Sequence, residues 1–367
     1  MAEEVKKMMA QGNSALQKCQ PDLAVQFFQR ALEKTGNADT DIMDTLADTY
    51  LQMGDPENAL ALLQNSIRIA PESSAYKYLY IAQLQDGADA LISFQRAIAL
   101  LARDQELAAK AAAAGGTNAD GEDVIKRAVM IQKQHAKAYC SIADLYLTDL
   151  CEDVGAEQAC EEALRLASTV DADGLDMLQT LASLRISQCR NEDACVIIQG
   201  VFNRVHASLN FSQQASLMSD LIAQAEAAKN GTVFAGGAGD DKEAPEDECP
   251  EHHFCISTAK ILVECAIQQP VLAENAMELV QLLLEEDDDN TELWYIMGVA
   301  ALGINPPDEE AAKYHLEKAK EMMLEAQERY GEENEEQVCL VDQHLAMIVG
   351  DCDGMEEDQE VDEEADN

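Results

Sequence analysis

The chain has 367 residues, of which 47% are hydrophobic and only 5% aromatic, a balance that favours closely packed helices over sheets. Its 70 acidic residues outnumber 25 Lys and Arg residues, so the formal net charge is −45. This charge disfavours direct binding of nucleic acid and of anionic membranes, because their phosphates would be repelled. The electrostatic complement of such a chain is a basic protein.

The N-terminal stretch MAEEVKKMMAQG is polar and amphipathic and lacks the apolar core of a signal peptide. The longest apolar stretches fall far short of the roughly 20 residues that span a bilayer. Eleven cysteines without framework spacing are typical of reduced thiols. We therefore expect a cytoplasmic and nuclear protein that does not use a membrane.

Residues 1–100 carry three copies of a two-helix pattern. In the second and clearest copy, two helical halves flank the turn Gly54-Asp55-Pro56, and Pro71 ends the second helix. Its pattern positions are Met43, Leu46, Ala47 and Tyr50, followed by Ala59, Leu63 and Ile67. The flanking copies have Met8, Gly12, Ala15, Ala24, Phe28 and Ala31, and then Leu79, Ala90, Phe94 and Ala97. Bulky, small and aromatic residues at these spacings form the tetratricopeptide pattern.

Residues 101–123 interrupt this array, and their alanines predict a helical extension followed by a Gly-rich linker. Residues 124–229 hold the fourth and fifth repeats and a following helix. Their pattern residues are Tyr139, Ile142, Ala143, Tyr146, Cys160, Leu164 and Ala167, and then Leu178, Leu181, Ala182, Ala194, Ile198 and Val201. Residues 230–251 lack periodicity and predict an acidic flexible loop.

Residues 252–350 hold the sixth and seventh repeats and a capping helix, and residues 351–367 predict a disordered acidic tail. The sixth repeat has Val263, Ile267, Ala276, Val280 and Leu283, and the seventh has Trp294, Met297, Gly298, Ala312, Leu316 and Ala319. No hairpin buries its apolar face alone, so the repeats must stack. We predict an all-α, right-handed α-solenoid of about seven tetratricopeptide helix-turn-helix repeats with a concave groove.

The first helix of each tetratricopeptide repeat lines the groove through its second, fifth and ninth positions. In the second repeat these positions are Asp41, Asp44 and Asp48, a stripe of like charges that costs on the order of a few tenths of a kcal/mol per pair. A stripe that tolerates this cost indicates a cationic partner. The equivalent positions elsewhere are Asp144, Asp176, Glu292 and Tyr295. The alternative is that so acidic a chain places carboxylates on every surface.

Other functions have weaker support in the sequence. Heat-shock co-chaperones clamp an acidic peptide with Lys, Arg and Asn at the groove positions, whereas the first repeat retains only Lys6, Met9 and Asn13 and the second offers aspartates. The run CPEHHFC, residues 249–255, offers Cys and His to zinc, but no second pair of ligands lies nearby. No nucleophile–base motif is present. We expect no enzymatic activity, no cofactor and no bound metal.

The aromatic run YKYLY, residues 76–80, is predicted to pack between neighbouring repeats. One of its tyrosines is in a position to reach the groove and to stack on an Arg of a partner.

Several blocks of sequence resemble a specific family, the tetratricopeptide assembly chaperones dedicated to large-subunit ribosomal protein four. The blocks are CSIADLYLTDLCEDVGAEQACEEAL (140–164), LASLRISQCRNEDA (181–194), AYKYLYIAQLQDGADAL (75–91) and ELWYIMGVA (292–300). The resemblance covers most of residues 40–350, and the acidic tail fits it as well. The alanine-rich segment 101–114 and the acidic loop 236–251 depart from it.

This resemblance implies a non-enzymatic chaperone that holds the basic internal loop of the new ribosomal protein and accompanies it towards the large ribosomal subunit. We expect a monomer without its client and no direct contact with nucleic acid. The acidic tail has two open roles, as a loose counter-ion of the client or as its competitor for the groove. The alternatives are a general scaffold or a chaperone of other basic clients such as histones, and the heat-shock co-chaperone.

Reversing the charge of Asp44 and Asp48 together tests the acidic stripe. We expect the affinity for a basic partner to fall, because two attractive contacts become repulsive. Titration of the partner measures this change, and an unchanged affinity would rule out the stripe.

Overall fold

The computed structural model describes residues 2–114, 119–229, 250–330 and 334–350. All regular structure within these ranges is α-helical, which confirms the predicted all-α class. The chain divides into two compact units, residues 1–180 and residues 181–367. Of the helices that the described ranges contain, none is both long and apolar enough to cross a membrane. The predicted tail 351–367 and nearly all of the predicted loop 230–251 lie outside the described residues.

The first unit consists of helical hairpins that follow one another along the chain. Its helices are Ala2–Leu16 (α1), Pro21–Lys34 (α2), Thr40–Gln52 (α3), Pro56–Ile69 (α4), Tyr76–Gln83 (α5), Gly87–Ala114 (α6), Ala119–Leu147 (α7), Ala156–Val170 (α8) and the start of Leu175–Ser187 (α9). The helices pack in pairs, α1 with α2, α3 with α4, α5 with α6 and α7 with α8. Each pair carries the pattern residues of one predicted repeat.

The second unit begins within α9 and continues the same succession of helices. It contains Asn191–Lys229 (α10), His252–Ala266 (α11), Val271–Glu286 (α12), Thr291–Gly303 (α13), Glu309–Tyr330 (α14) and Glu335–Gly350 (α15). Here α11 packs with α12 and α13 with α14, and α15 packs on α14. The first helices α11 and α13 also touch each other, as the first helices of successive repeats do when hairpins stack.

The turn between α3 and α4 shows how the sequence places the helix ends. Gly54 adopts a positive φ of 74°, which is easy for a residue without a Cβ. The Asp55 side chain caps α4 by accepting a hydrogen bond from the backbone N–H of Asn58 at 3.1 Å. Pro56 takes the first helical position, where the N–H it lacks has no partner in any case.

Small residues let the two helices of a hairpin approach closely. In the first hairpin, Ala24, Phe28 and Ala31 of α2 have no exposed surface. A Cβ added to Gly12 of α1 would lie 2.3 Å from the Phe28 ring, so the ring occupies the space that a larger residue would need. The glycine of the repeat pattern therefore makes room for the phenylalanine, and the two positions depend on each other.

One pattern residue lies elsewhere than predicted. Ile67 packs, half-buried, against the core with Ala59 and Leu63, as its place in the second repeat predicts. Ile267, assigned to the sixth repeat, is 83% exposed, while Leu262 and Cys265 of α11 are buried. That assignment was wrong because the direction of the helix face, and not the size of a side chain, decides which residue meets the neighbouring helix.

Two helices are longer than a repeat requires. The helix α6 continues through the alanines to Ala114 and packs along α7, which begins at Ala119, inside the predicted linker. The second half of the predicted fifth repeat and the helix predicted after it form one continuous helix, α10, over Asn191–Lys229, while the first half of that repeat lies on α9.

Gly298→Ala tests the close approach of α13 and α14. The added Cβ would lie 2.7 Å from Leu316 Cγ and 3.2 Å from its backbone nitrogen, so we expect a loss of about 1–3 kcal/mol in the free energy of unfolding. Urea unfolding followed by circular dichroism measures it.

The matched control is Gly200→Ala in α10, where a Cβ has no neighbour within 4 Å. Here we expect a gain of about 0.5–1 kcal/mol from helix propensity. Equal effects of the two substitutions would contradict the packing explanation.

Candidate partner-binding surface

The predicted acidic stripe lies on α3 of the first unit, and its three carboxylates have different surroundings. Asp41 is exposed, whereas Asp44 and Asp48 are half-buried. The start of α3 is held by Asp39, whose side chain accepts hydrogen bonds from the backbone N–H groups of Asp41 and Ile42. The stripe therefore lies on a capped helix, and its first residue, Asp41, is exposed to solvent.

Asp44 belongs to a buried polar network that the sequence did not indicate. Its carboxylate accepts a hydrogen bond from Ser66 Oγ of α4 at 2.6 Å. Burial raises the pKa of Asp44, and the Ser66 hydrogen bond and the charge of Lys77 oppose that rise. Burying a carboxylate is costly unless it is hydrogen-bonded, and here Ser66 supplies the hydrogen bond while the Lys77 charge lies nearby.

The cation of this network is Lys77, which is only 1% exposed. Its Nζ donates to the carbonyl of Ala70 and to Ser73 Oγ, both at 2.6 Å, and to Ser66 Oγ at 3.3 Å. Burial lowers the pKa of Lys77, and the charges of Asp44 and Asp41 oppose this. Lys77 thus offsets part of the repulsion between the aspartates of the stripe.

Asp48 joins α3 to α5. The Tyr80 hydroxyl donates to Asp48 Oδ1 at 3.2 Å, and Gln52 Nε2 donates to Asp48 Oδ2 at 2.9 Å. Burial, with the adjacent Asp48, raises the pKa of Tyr80 to about 12. Within the YKYLY run, Tyr80 therefore lies beside the stripe, while the Tyr78 hydroxyl donates to the carbonyl of Pro71 at 3.1 Å.

The structure brings two further predicted residues of the first unit together, Asp144 of α7 and Asp176 of α9. Asp144 is exposed, yet desolvation by the surrounding protein, with a smaller effect of the Asp176 charge, raises its pKa to about 6. A hydrogen bond with Thr180 partly opposes the rise. Asp176 forms an ion pair with Lys137 Nζ at 3.8 Å. Because Asp144 is exposed, a cation can reach it from solvent.

A buried thiol lies next to these carboxylates. Cys140 is 3% exposed, and its pKa is raised by burial first and then by the charges of Asp176, Asp144 and Asp171. This cysteine therefore stays protonated. The carboxylates of Asp144, Asp171 and Asp176 all lie near enough to Cys140 to raise its pKa further.

The remaining predicted residues, Glu292 and Tyr295, lie on α13 in the second unit. Glu292 pairs with Lys260 Nζ of α11 at 2.5 Å. The Tyr295 ring meets the His344 ring of α15 edge-on, with 5.8 Å between centroids, and burial raises the pKa of Tyr295. Glu292 thus joins α13 to α11, and Tyr295 joins α13 to α15.

The histidines and the second cysteine of the CPEHHFC run lie at the start of α11. Cys255 is fully buried, with its Sγ 3.8 Å from the carbonyl of Pro250, whereas Cys249 lies outside the described residues. In the ranges that the structure describes, no three His, Cys, Asp or Glu residues form a group suited to a metal ion.

Comparison with known proteins finds two relatives that carry the same name. The tetratricopeptide repeat family description matches residues 15–84. A Schizosaccharomyces pombe protein named probable assembly chaperone of rpl4 is 27% identical over 275 residues, covering 74% of this chain and 66% of that protein, just under two thirds of its length. An Emericella nidulans protein of the same name is 27% identical over 330 residues, covering 85% of this chain and 69% of that protein.

A solved structure, named Assembly Chaperone of RpL4 (Acl4), residues 1–338, has the same fold. It matches with a TM-score of 0.63 and 20% identity, and the match covers 84% of this chain and 99% of that chain. These comparisons confirm the tetratricopeptide fold and the resemblance drawn from the sequence blocks.

Asp144→Asn tests the raised pKa. A carboxyl group whose pKa is higher in the folded state contributes stability that is complete below about pH 4 and is lost as the pH rises through about 6. We therefore expect the variant to melt at a higher temperature than the parent chain at pH 7 and at a similar temperature at pH 4. Thermal unfolding at both pH values measures the difference, and a constant offset between the two proteins would contradict the assignment.

Proposed function

We propose that this tetratricopeptide-repeat chain is a dedicated assembly chaperone for large-subunit ribosomal protein four, held through a basic segment of that client. The observation that carries the proposal is the similarity to two proteins named for this role, over 74% and 85% of the chain. The net charge of −45 supports the same class of client independently of any relative.

The first unit offers carboxylates suited to such a client. Asp41 is exposed, and Asp144 and Asp176 lie together in a partly desolvated position. A Lys or Arg that approaches Asp144 favours its charged form and so lowers its raised pKa, which makes the pairing stronger than one on an open surface. Asp44 has a different role, because Ser66 and Lys77 hold it in place between α3 and α4.

The strength of single contacts indicates how the client is held. An exposed ion pair contributes only about 0–1 kcal/mol, whereas micromolar affinity needs about 8 kcal/mol. Many pairs must therefore act together, with apolar and tyrosine contacts that slow release. Screening by salt weakens such binding, and long-range attraction speeds encounter at low ionic strength.

We propose no chemical step for this protein. It keeps a basic segment soluble by substituting carboxylates for the RNA phosphates that the segment meets in the ribosome, and it escorts the client through the cytoplasm and nucleus to the precursor of the large subunit. Hand-over then follows from competition, because RNA offers a denser row of negative charges than the chaperone does.

Capture from cell extract at low and high salt tests the proposal. We expect one ribosomal protein, large-subunit protein four, to be recovered at low salt and much less of it at high salt. Recovery of many basic proteins would indicate a general scaffold, and recovery of heat-shock proteins would indicate a co-chaperone. Either result would contradict the dedicated role.

Purified client then tests the carboxylates. We expect Asp144→Asn with Asp176→Asn to weaken binding by about three- to thirtyfold, from two partly desolvated pairs. The control changes two exposed acids on second helices, Glu33→Gln and Glu162→Gln, and so alters the net charge equally. Equal losses in both variants would show that only total charge matters.

A further inference from the structure

The second unit holds the single tryptophan of the chain beside two other rings. Trp294 of α13 is half-buried, and its ring meets the Tyr314 ring of α14 at 74°, with 6.3 Å between centroids. The His315 ring contacts both of them, with its centroid 5.6 Å from that of Trp294 and 5.1 Å from that of Tyr314. Trp294 and Tyr314 are called the aromatic corner below, since their ring planes are nearly perpendicular.

The packing of the repeat does not explain Tyr314. The residues of α14 that contact α13 in the repeat pattern are Ala312, Leu316 and Ala319, and none of them has exposed surface. Tyr314 lies between them in sequence but is 60% exposed. Its ring therefore contacts the Trp294 ring while more than half of the residue's surface stays in solvent.

An acidic run adjoins the aromatic corner. Residues 285–289, Glu-Glu-Asp-Asp-Asp, are all exposed; they end α12 and begin the connection to α13. The Trp294 Nε1 donates a hydrogen bond to the carbonyl of Asp288 at 2.8 Å, which holds the backbone of the run against the indole. Exposed acidic residues thus adjoin an aromatic pair that is partly open to solvent.

We propose that the aromatic corner and the acidic run together bind an arginine side chain of a basic protein segment. The guanidinium is planar and weakly hydrated, so it stacks on an aromatic face while its N–H groups reach carboxylates. An acidic or neutral segment gains nothing from five adjacent carboxylates. This site deepens the proposed function, on which it rests for the identity of the client, by adding an arginine-selective contact in the second unit.

Because the chain has one tryptophan, its emission reports on this site alone. The probe is a synthetic arginine-rich peptide, titrated into the full chain while tryptophan fluorescence is recorded. We expect a saturable change in emission, and a lysine peptide of equal charge to give an apparent Kd about two- to fivefold weaker. The absence of any change in emission would overturn the proposal.

Tyr314→Ala separates this site from general charge attraction. We expect it to weaken the emission-detected binding of the arginine peptide by about two- to fivefold. The control is Ile92→Ala, which removes a side chain of similar exposure (63%) from α6 in the first unit and should leave that binding unchanged. Equal effects of the two substitutions would overturn the proposal. Circular dichroism checks that both variants are folded.

The same measurements distinguish this site from the proposed function. If ribosomal protein four binds while its arginine segment leaves the tryptophan emission unchanged, the chaperone role stands and the arginine site is refuted. If the arginine peptide gives the Tyr314-dependent change while ribosomal protein four does not bind, the site stands and its client is a different basic protein.

Discussion

The structure depends on the close contact between a small residue of one helix and a bulky residue of its partner. Gly12 against Phe28 and Gly298 against Leu316 are two examples, one in each unit, and in both a single added carbon would collide with the neighbour. This contact brings the helices together, and the remaining apolar faces are then buried against the next hairpin. The polar faces of the first helices take no part in this packing and carry the acidic residues described above.

Electrostatics is the second constraint, because 70 carboxylates must be placed with only 25 cationic side chains. Most of those within the described residues are exposed to solvent, where repulsion is screened. A few are partly buried and have partners. Asp44 is stabilised by Ser66 and the buried Lys77, and Asp48 by Tyr80 and Gln52. Asp144 is exposed, yet desolvation raises its pKa, with a smaller contribution from the Asp176 charge, while a hydrogen bond with Thr180 opposes the rise.

The surroundings of Asp44, Asp48 and Asp144 indicate how the chain could bind the basic client that both its charge and its relatives suggest. A carboxylate that already has a hydrogen-bond partner, such as Asp44 with Ser66, helps to hold the helices of the repeat together. One that is partly desolvated and faces another negative charge, such as Asp144, gains most from an incoming cation. The proposed arginine site follows the same logic in the second unit, where Trp294 and Tyr314 add a surface that selects the chemical type of the cation.

The repeat was predictable from sequence because its signal is local. Spacings such as Ala24, Phe28 and Ala31 follow from the period of a helix, and Gly54-Asp55-Pro56 encodes a turn and a cap within three residues. The residues Asp41, Asp44 and Asp48 could be placed on one helical stripe for the same reason. Where the repeat pattern was weak, as in the sixth repeat, Ile267 was assigned to the packed face although the structure exposes it.

By itself, the sequence determined the helical class, the succession of hairpins and the excess of negative charge, since these depend on period and composition. Only the tertiary structure decided that Lys77 lies buried near Asp44, that Tyr80 meets Asp48 across 32 positions, and that Asp176 lies near enough to Asp144 to raise its pKa. Those pairings join different helices, and the burial that shifts a pKa or excludes water is a property of all the neighbouring chain rather than of any one segment.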